Sequence, residues 1–493
     1  MHLPDIQNKN TDRRWQTFFW IFLILYGIYG IATMPNYGVP LDEYTQRDIG
    51  RINNLYIIGK ADIDDLAQHK YFGPVIESTS YLAGQLIYNS DSATKLYLRH
   101  GLMFALFWVS LIYFKQLAWR LTKHIPAAVI TTITLACSPR LFAHAHYNTK
   151  DTAFLVLVII ALALLLKYLQ LRHVRHLIFA AIWLGVASTI RLAGVFVIMA
   201  VLARLFSEEE NRGRAIFGLI IFSTIGYFIT FPYMLANPTQ GIKELLTYTS
   251  QNPYPWPVFF AGKIWPIAHG IWYYVPLSLA ITVAVPIIIL FIIFFAVQFV
   301  KIIKKRISAD ELLVFNLFLL PMLYFVLKAP VFYNLGRHSQ FLFIPIFLGA
   351  AYIISFFWQQ VYLRYTTSVI LGLSALALPA NYANEMVYFN GIKSQFYAPY
   401  SFEMDYWTVG AKQAIEDLVA NKDSVKIYCF TTDTRDCLKI LDIKTRQKVH
   451  FTSKDSANYE LEFFREKPLI KTAKTIKAYG AKNEPYLLVN KLK

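Results

Sequence analysis

Long apolar runs follow one another from Trp15 to about Pro379, and the residues after them have no such run. Most of these runs come close to the ~20 largely apolar residues that cross a ~30 Å hydrocarbon layer. The pattern predicts an α-helical multi-pass membrane protein. We predict about 11 transmembrane helices, near residues 15–34, 98–119, 125–143, 152–169, 177–190, 192–206, 215–233, 273–300, 311–328, 339–358 and 366–380.

The first run is expected to be a retained span. It is longer than the ~7 to 15 apolar residues of a signal peptide, and no small-residue cleavage site follows it before Pro35. Basic residues before this span place the N-terminus in the cytoplasm, and alternation places the C-terminus outside. The predicted cytoplasmic turns are basic, and they contain Arg120, Lys123, Lys167, Arg172, Arg175, Arg204, Arg212, Arg214, Lys301, Lys304, Lys305 and Arg306.

Residues 177–206 form an apolar segment whose length is unusual for membrane-spanning helices. One helix of this segment would be ~45 Å long at ~1.5 Å per residue, too long for one span and too short for two. Basic clusters flank both ends, which predicts a hairpin of short helices that turns near 189–193 and leaves Arg191 at the outer face. A single long tilted span is the alternative, and it would invert every later loop.

Composition excludes a soluble enzyme of this length, because 56% of the residues are hydrophobic and only 16% are charged. The net charge of +17 would suggest nucleic acid in a soluble domain. Here many basic residues lie between spans, so the charge indicates topology and no nucleic-acid partner. Three cysteines exclude a disulfide scaffold or a Cys-rich metal module. Whether Cys429 and Cys437 pair on the oxidising side stays open.

The predicted topology leaves three long extracytoplasmic pieces: 35–97, 234–272 and the tail from about 381. The first should contain two amphipathic interfacial helices, near 43–58 and 71–87. The second has many aromatic residues from 252 to 274, as in a membrane aromatic belt or a cover over a lipid-facing groove. The residue pattern of the tail predicts a small α/β domain, with strands near 424–430 and 485–490 and a helix at 409–419. We therefore expect a membrane domain at 1–380 and an extracytoplasmic domain at 381–493.

Asp42 and Glu43 stand side by side just after the first span. A carboxylate that is partly desolvated and beside another acid should have a raised pKa, which would favour proton abstraction. The pair is therefore a candidate general base. A solvated loop, or an N-cap of the following helix, is the alternative.

A second cluster occupies residues 138–151, which read SPRLFAHAHYNTKD. We expect a tight outer turn that packs five ionisable side chains together, namely Arg140, His144, His146, Lys150 and Asp151. Ionisable groups at membrane depth are costly and are often functional. The histidines with Asp151 also raise the alternative of a divalent cation, although their spacing suits an extended segment and no fourth ligand is evident. A further alternative is that Lys150 and Asp151 form a simple ion pair at the membrane interface.

Arg337 and His338 lie at another outer span boundary, within YNLGRHSQ at 333–340. A guanidinium group binds phosphate oxygens bidentately and stays charged in a site of low dielectric constant, so Arg337 is a candidate phosphate ligand. The alternative is an anchor that extends to the interface.

In their order along the chain, these features resemble the C-type superfamily of polyprenyl-phosphate-sugar-dependent membrane glycosyltransferases, which includes protein O-mannosyltransferases and the aminoarabinose transferase of lipid A. The resemblance covers roughly residues 15–407. It departs from the pattern at Leu141, where Phe is common. The matching features are Asp42 with Glu43, Phe72-Gly73-Pro74, the turn that ends at Asp151, Gly336-Arg337-His338, and NEMVYFN at 384–390.

The resemblance implies that Asp42 deprotonates an acceptor, which attacks the anomeric carbon of the donor sugar with inversion. Glu43 and Asp151 would orient the acceptor or help to hold an ion, and His144, His146 and Tyr388 would position substrates. The cations that would bind the leaving polyprenyl phosphate are Arg140, Lys150, Arg191, Arg337 and His338. The implied partners are a polyprenyl-phosphate sugar, the bilayer of the cell membrane, and a protein, lipid or polysaccharide acceptor outside the cytoplasm. No metal ligand set is implied.

Two other classes of function stay open. A transporter or flippase of a lipid-linked sugar should carry charges at mid-membrane on broken helices or inverted repeats, whereas the ionisable residues here gather at the outer ends of spans. A non-catalytic subunit would use the tail to bind a partner.

Overall fold

The computed structural model describes residues 7–87, 90–208, 211–251, 256–380, 385–429, 437–464, 469, 471–472, 474–481 and 483–492. The helices of the first half are α1 Gln7–Thr33, α2 Glu43–Ile57, α3 Val75–Leu86, α4 Ser92–Thr122, α5 Ile125–Ala136, α6 Pro139–Tyr147, α7 Asp151–Leu171, α8 Val174–Ile190, α9 Gly194–Phe206, α10 Arg212–Ile229, α11 Pro232–Ala236 and α12 Pro238–Gln251. Those of the second half are α13 Tyr274–Thr282, α14 Val285–Ile303, α15 Ala309–Lys328, α16 Phe343–Phe357, α17 Val361–Ala375, α18 Ala377–Ala380, α19 Gly391–Phe396, α20 Ala411–Val419 and α21 Ile443–Lys448.

Short 3₁₀ helices cover Met34–Asn36, Ile63–Tyr71, Arg337–Leu342, Glu385–Val387 and Lys454–Ser456. The strands are β1 Val258–Phe260, β2 Lys263–Trp265, β3 Val425–Cys429, β4 Val449–Phe451, β5 Tyr459–Phe463, β6 Thr475–Ala481 and β7 Glu484–Lys491.

Eight helices of the described residues are long and apolar enough to cross a membrane, and the bent pair α5 and α6 would make a ninth. Helices α8 and α9 are apolar but shorter. The predicted number of eleven is reached only if the bent pair and both short helices count as spans. A multi-pass helical membrane protein is confirmed, whereas the number and sidedness of its spans stay predictions.

Helix α7 lies at the centre of the membrane domain. Its sequence is apolar on every side, and most of its residues are buried. A helix without a polar face must be enclosed by others, and α7 packs against α4 and α8. Its first residue, Asp151, is thereby held at one end of the helical core.

The predicted hairpin is present. Helix α8 ends at Ile190 and α9 begins at Gly194, where a Cβ atom would lie 2.3 Å from Ser188 Oγ. Arg172 before α8 and Glu208 after α9 form an ion pair at 2.5 Å. Both ends of the segment therefore lie on one side, and Arg191 lies at the opposite tip.

The segment at 138–147 differs from its prediction. We expected a tight outer turn, but Pro139–Tyr147 is an α-helix that meets α5 at 66°. Proline is compatible with the first turn of a helix, because no intrahelical partner exists there for its missing N–H. Helical spacing brings Arg140 and His144 onto one face, one turn apart, and directs His146 elsewhere.

The first outer loop forms the two predicted amphipathic helices, α2 and α3. They pack closely, because a Cβ atom on Gly50 would lie 2.3 Å from the carbonyl oxygen of Glu77. The loop also contacts the hairpin tip, where Gly73 N–H donates to the carbonyl of Thr189 at 2.8 Å. A Cβ atom on Gly73 would lie 2.0 Å from Thr189 Oγ1, so this position requires glycine.

The tail contains the predicted α/β structure. Strands β3 and β7 and helix α20 lie where the sequence predicts them, in a sheet of order β4-β3-β5-β7-β6. β3 is parallel to β4 and β5, whereas β7 is antiparallel to β5 and β6. Cys429 and Cys437 are both buried in the core of this domain. Residues 252–255 of the aromatic loop and Asn384 lie outside the described residues. The β1–β2 hairpin within that loop was not predicted.

Candidate active site

A cavity of about 320 Å³ lies where the first outer loop meets the ends of the helical core, and its volume is at the lower end for small-molecule sites. Residues from seven separate segments of the chain line it. They are Pro40, Asp42, Glu43, Thr45, Gln46, Gln68, His69, Phe72, Tyr147, Asn148, Thr149, Lys150, Asp151, Arg191, Tyr248, Thr249, Tyr333, Arg337 and Trp407. The sequence-predicted residues Asp42, Glu43, Lys150, Asp151, Arg191 and Arg337 are all among them.

The carboxylate of Asp42 faces this cavity, and its side chain is 44% exposed. Oδ2 accepts a hydrogen bond from Arg337 Nη1 at 2.9 Å and another from Trp407 Nε1 at 3.1 Å. Burial alone would raise the pKa of Asp42, but Arg337, Lys150 and Trp407 outweigh it and hold the pKa below its ordinary value. The predicted raised pKa is therefore wrong, because the neighbouring charge that dominates is a cation and not Glu43.

Trp407 reaches Asp42 because the tail pairs with the start of the first outer loop. Gly38 N–H donates to the carbonyl of Val409 at 3.1 Å, and Leu41 N–H donates to that of Trp407 at 3.2 Å. A Cβ atom on Gly38 would lie 2.4 Å from the Val409 oxygen, so glycine permits this approach. The segment before the C-terminal domain is thus part of the cavity wall.

Lys150 is a cation of the cavity that forms no ion pair with any of the described carboxylates. Among the residues that the structure describes, no carboxylate lies within 4.0 Å of Lys150 Nζ, which instead lies 4.1 Å from the ring centroid of Phe72. Burial and the charges of Arg191 and Arg337 lower the pKa of Lys150 to about 8, although Glu77 and Asp42 oppose this shift. Lys150 is therefore the cation most readily available to an anionic ligand.

Asp151 anchors Arg191 at the hairpin tip, with 2.5 Å between Oδ1 and Nη2. Its Oδ2 accepts from Asn148 Nδ2 at 3.1 Å, and that amide also contacts His144 Nδ1 at 3.1 Å. The second ring nitrogen of His144 lies 3.1 Å from the hydroxyl of Tyr406. A chain of polar contacts therefore joins the tail to Arg191 along the cavity wall.

Arg337 opens the 3₁₀ helix that leads into α16, directly after Gly336 at φ +69°. Its guanidinium carbon lies 4.8 Å from the ring centroid of Trp407, and Nε donates to His338 Nε2 at 3.2 Å. His338 thus orients Arg337 and does not line the cavity. The arrangement fixes one guanidinium against Asp42, and no second carboxylate in the described part of the chain forms an ion pair with it.

Glu43 turns away from Asp42. Its buried carboxylate lies 3.3 Å from Arg99 Nε and 3.8 Å from His100 Nε2. Burial raises the pKa of Glu43, but these two residues and Arg47 lower it further than burial raises it. Although Glu43 lines the cavity, its geometry fits an ion pair that holds α2 to α4 better than a role in proton transfer.

Four other predicted site residues also lie outside the cavity, namely Arg140, His144, His146 and Tyr388. Arg140 Nε donates to the carbonyl of Tyr388 at 2.6 Å, and the ring nitrogens of His146 lie 2.9 and 3.0 Å from the carbonyls of Phe142 and Gly30. His146 therefore ties α6 to α1. The described residues contain no group of three or more His, Cys, Asp or Glu that could hold a metal ion, so the alternative cation site at His144, His146 and Asp151 does not form there.

Sequence reasoning missed five residues of the site: Trp407, Tyr406, Glu77, His69 and Tyr248. Glu77 is buried and accepts from Thr149 Oγ1 at 2.6 Å, next to Lys150 in sequence. Burial and the charge of Lys150 lower the pKa of His69. An acid on the apolar side of the predicted helix at 71–87 was the one signal that could have identified Glu77. The aromatic residues had no distinguishing signal in a chain with 16% aromatic residues.

Comparisons with known proteins agree with the architecture. A family model described as dolichyl-phosphate-mannose-protein mannosyltransferase matches residues 86–235. No curated protein gives a significant match. Among solved structures, the oligosaccharyltransferase of Archaeoglobus fulgidus is similar with a TM-score of 0.50 and 11% identity, over 89% of this chain and 65% of that chain.

ArnT from Cupriavidus metallidurans bound to undecaprenyl phosphate is similar with a TM-score of 0.50 and 14% identity, over 88% of this chain and 75% of that one. Its apo state matches with a TM-score of 0.50 and 11% identity, over 91% of this chain and 92% of that one. This chain spans just under two thirds of the Archaeoglobus oligosaccharyltransferase. The chain thus resembles membrane mannosyltransferases in a family model over residues 86–235, and at these identities the solved structures show a shared fold alone.

Proposed function

We propose that this protein is a membrane glycosyltransferase that transfers a sugar from a polyprenyl phosphate to an acceptor outside the cytoplasm, with inversion. The observation that carries the proposal is one cavity in which Asp42 faces Arg337 and Lys150. An acid beside several cations provides both a proton acceptor and a site for a leaving phosphate. The resemblance to lipid-linked glycosyltransferases supports this assignment.

In the proposed reaction, Asp42 removes the proton from an acceptor hydroxyl or amine. The freed electron pair attacks the anomeric carbon, and the bond from that carbon to the phosphate oxygen breaks. The bonding electrons leave with the polyprenyl phosphate, whose charge Arg337, Lys150 and Arg191 stabilise. Asp151 acts as a positioning residue because it holds Arg191 at 2.5 Å.

The ion pair between Asp42 and Arg337 has a chemical consequence in this scheme. Arg337 keeps Asp42 ionised before substrate binds, and an arriving phosphate competes for the same guanidinium. As that ion pair weakens, the pKa of Asp42 should rise towards its ordinary value or above it. Donor binding would thus make Asp42 a stronger base.

The proposal assigns residues 1–380 to the membrane transferase domain and 381–493 to an extracytoplasmic domain, with the N-terminus in the cytoplasm and the cavity at the outer face of the cell membrane. The acceptor is a protein, a lipid or a surface glycan. Segment 405–409, which carries Trp407, joins the tail to the cavity, so both domains form the site.

A panel of donors tests the function. Purified protein in detergent is given radiolabelled polyprenyl-phosphate sugars one at a time, together with membrane extract that contains acceptors. We expect one donor to be consumed, with release of polyprenyl phosphate and appearance of label in a larger product. Movement of intact donor across a vesicle membrane without bond cleavage would instead identify a flippase and overturn the proposal.

The charge of Lys150 should set the alkaline limit of activity. With a pKa of about 8 in the free protein, Lys150 loses its positive charge as the pH rises through this value. The profile of kcat/KM for the donor reports the free enzyme, so it should fall with a midpoint near pH 8. Lys150→Arg stays charged and should move this limb upwards by about one pH unit or more.

The matched control is Lys60→Arg, at an exposed position outside the cavity. It should keep the alkaline limb of the wild type. If Lys150→Arg also keeps that limb, then Lys150 is not the group that titrates and its proposed contact with the phosphate is wrong.

A further inference from the structure

Arg337 also lines a second, smaller pocket of about 20 Å³, between α6, α13 and the 3₁₀ helix at Arg337–Leu342. Its described lining includes the guanidinium-bearing residues Arg140 and Arg337 together with Ser278 and Ser339, and it includes no carboxylate. The pocket is therefore cationic, and it is separate from the cavity that holds Asp42 and Lys150.

Arg140 is buried in this pocket, and none of the described carboxylates forms an ion pair with it, although the charge of Glu403 acts on it from a greater distance. The residue is 6% exposed, and its Nε donates a hydrogen bond to the carbonyl oxygen of Tyr388. Its guanidinium carbon lies 4.5 Å from the ring centroid of Phe389. Within the described part of the chain, its Nη2 has no hydrogen-bond partner, and no carboxylate approaches the guanidinium within 4.0 Å. A buried charge is stable only when it is paired or fully hydrogen-bonded, so this group requires an anion or another acceptor.

Ser278 provides a second orphaned polar group on the same pocket. It is 2% exposed, and its Oγ has no hydrogen-bond partner among the described residues. Ser278 lies against Gly336, where a Cβ atom would stand 2.7 Å from its Cβ and where φ is +69°. Glycine at 336 therefore leaves the serine hydroxyl room to act as a donor beside Arg140.

We propose that this pocket binds one small inorganic anion, physiologically chloride, held by Arg140 and Ser278 beside Arg337. The volume exceeds the ~10 to 15 Å³ that one water-sized sphere needs, and it is too small for a phosphate group. The anion neutralises the buried charge of Arg140 and reduces the positive potential at Arg337. The evidence for this site does not depend on the proposed transferase activity, because its two orphaned groups, Arg140 and Ser278, do not line the cavity.

Bromide in place of chloride tests the site directly. Crystals of the full-length wild-type protein grown in sodium bromide should show an anomalous difference peak at the bromine edge, between Arg140 and Ser278. Density at this position without anomalous signal would mean a water molecule, and it would overturn the proposal. Neither outcome depends on glycosyl transfer.

Thermal unfolding in detergent provides a test in solution. At constant ionic strength, replacing gluconate by 300 mM chloride should raise the unfolding temperature of the wild type by about 2 °C or more. Arg140→Met should lose this chloride-dependent shift, and Ser278→Ala should need several-fold more chloride for the same shift. Arg306→Met, at an exposed position that does not line this pocket, should keep the chloride-dependent shift.

The proposal fails if wild type unfolds at the same temperature in both salts, or if Arg140→Met keeps the full shift. Should Arg140→Met not fold, the bromide peak in the wild type and the response of Ser278→Ala still decide the question.

Discussion

Asp42→Asn protein should transfer sugar at least about 100-fold more slowly than wild type, because loss of a general base typically costs 10² to 10⁴ in rate. The substitution removes one negative charge but keeps the shape of the side chain and an oxygen for Trp407 Nε1, which donates to Asp42 at 3.1 Å. Arg337 would lose its ion-pair partner. Donor binding should therefore stay the same or tighten while kcat falls.

A lower kcat with unchanged or tighter donor binding distinguishes a general base from a carboxylate that has only a structural role. A loss of kcat with unchanged or lower donor KM agrees with proton abstraction, whereas a higher KM with normal kcat would place Asp42 in donor binding. Asp65→Asn, on the exposed surface of the same outer loop, is the matched control and should behave as wild type. All variants must first show the unfolding temperature of the wild type.

Arg337→Gln should lower kcat/KM by about 10² to 10³, the range seen when one donor to a developing oxyanion is removed. Arg337 acts on both partners of the reaction, because its guanidinium would contact the leaving phosphate and lies 2.9 Å from Asp42. Without it, the pKa of Asp42 should rise, since the cation that lowers this pKa most is gone. The acid limb of the pH profile should therefore move upwards.

Arg337→Lys keeps the charge but not the planar fork, so it should recover part of the lost rate and restore the acid limb. Arg47→Gln, an exposed position outside the cavity, serves as the control. An Arg337→Gln protein with wild-type kcat/KM would show that the guanidinium has no part in phosphate departure.

The sequence predicts the membrane fold well because lipid imposes a simple rule on the chain. Each span must be apolar along ~20 residues, so length and hydropathy locate most helices. The same rule makes the 177–206 segment recognisable as an exception, and the ion pair between Arg172 and Glu208 confirms its hairpin. Ionisable residues at span ends stand out for the same reason, which is why Asp42, Lys150 and Asp151 could be selected.

The directions of side chains were less predictable. Residues 138–147 were predicted as part of a tight outer turn, and their helical form separates Arg140 and His146 from the cavity that Lys150 lines. The assignment of Asp42 and Glu43 as a mutually perturbing pair also failed. The side chains of adjacent residues at the start of a helix point in different directions. Glu43 therefore forms an ion pair with Arg99 and does not face Asp42.

Trp407 could not have been found from the sequence. It contacts Asp42 across 365 residues, through backbone hydrogen bonds that depend on how the tail folds back onto residues 38–41. No local periodicity encodes such a contact. Glu77 carried a weak signal, since a carboxylate on the buried side of an amphipathic helix is costly unless it has a partner.

The anomeric configuration of the transferred sugar tests the central claim most directly, namely a single displacement assisted by Asp42 at a lipid-phosphate donor. The product of the accepted donor is isolated, and its anomeric proton coupling is measured by NMR beside that of the donor. We predict an inverted configuration with the wild type and product formation at least about 100-fold slower with Asp42→Asn. A retained configuration would require two displacements, and it would contradict direct attack by an acceptor that Asp42 deprotonates.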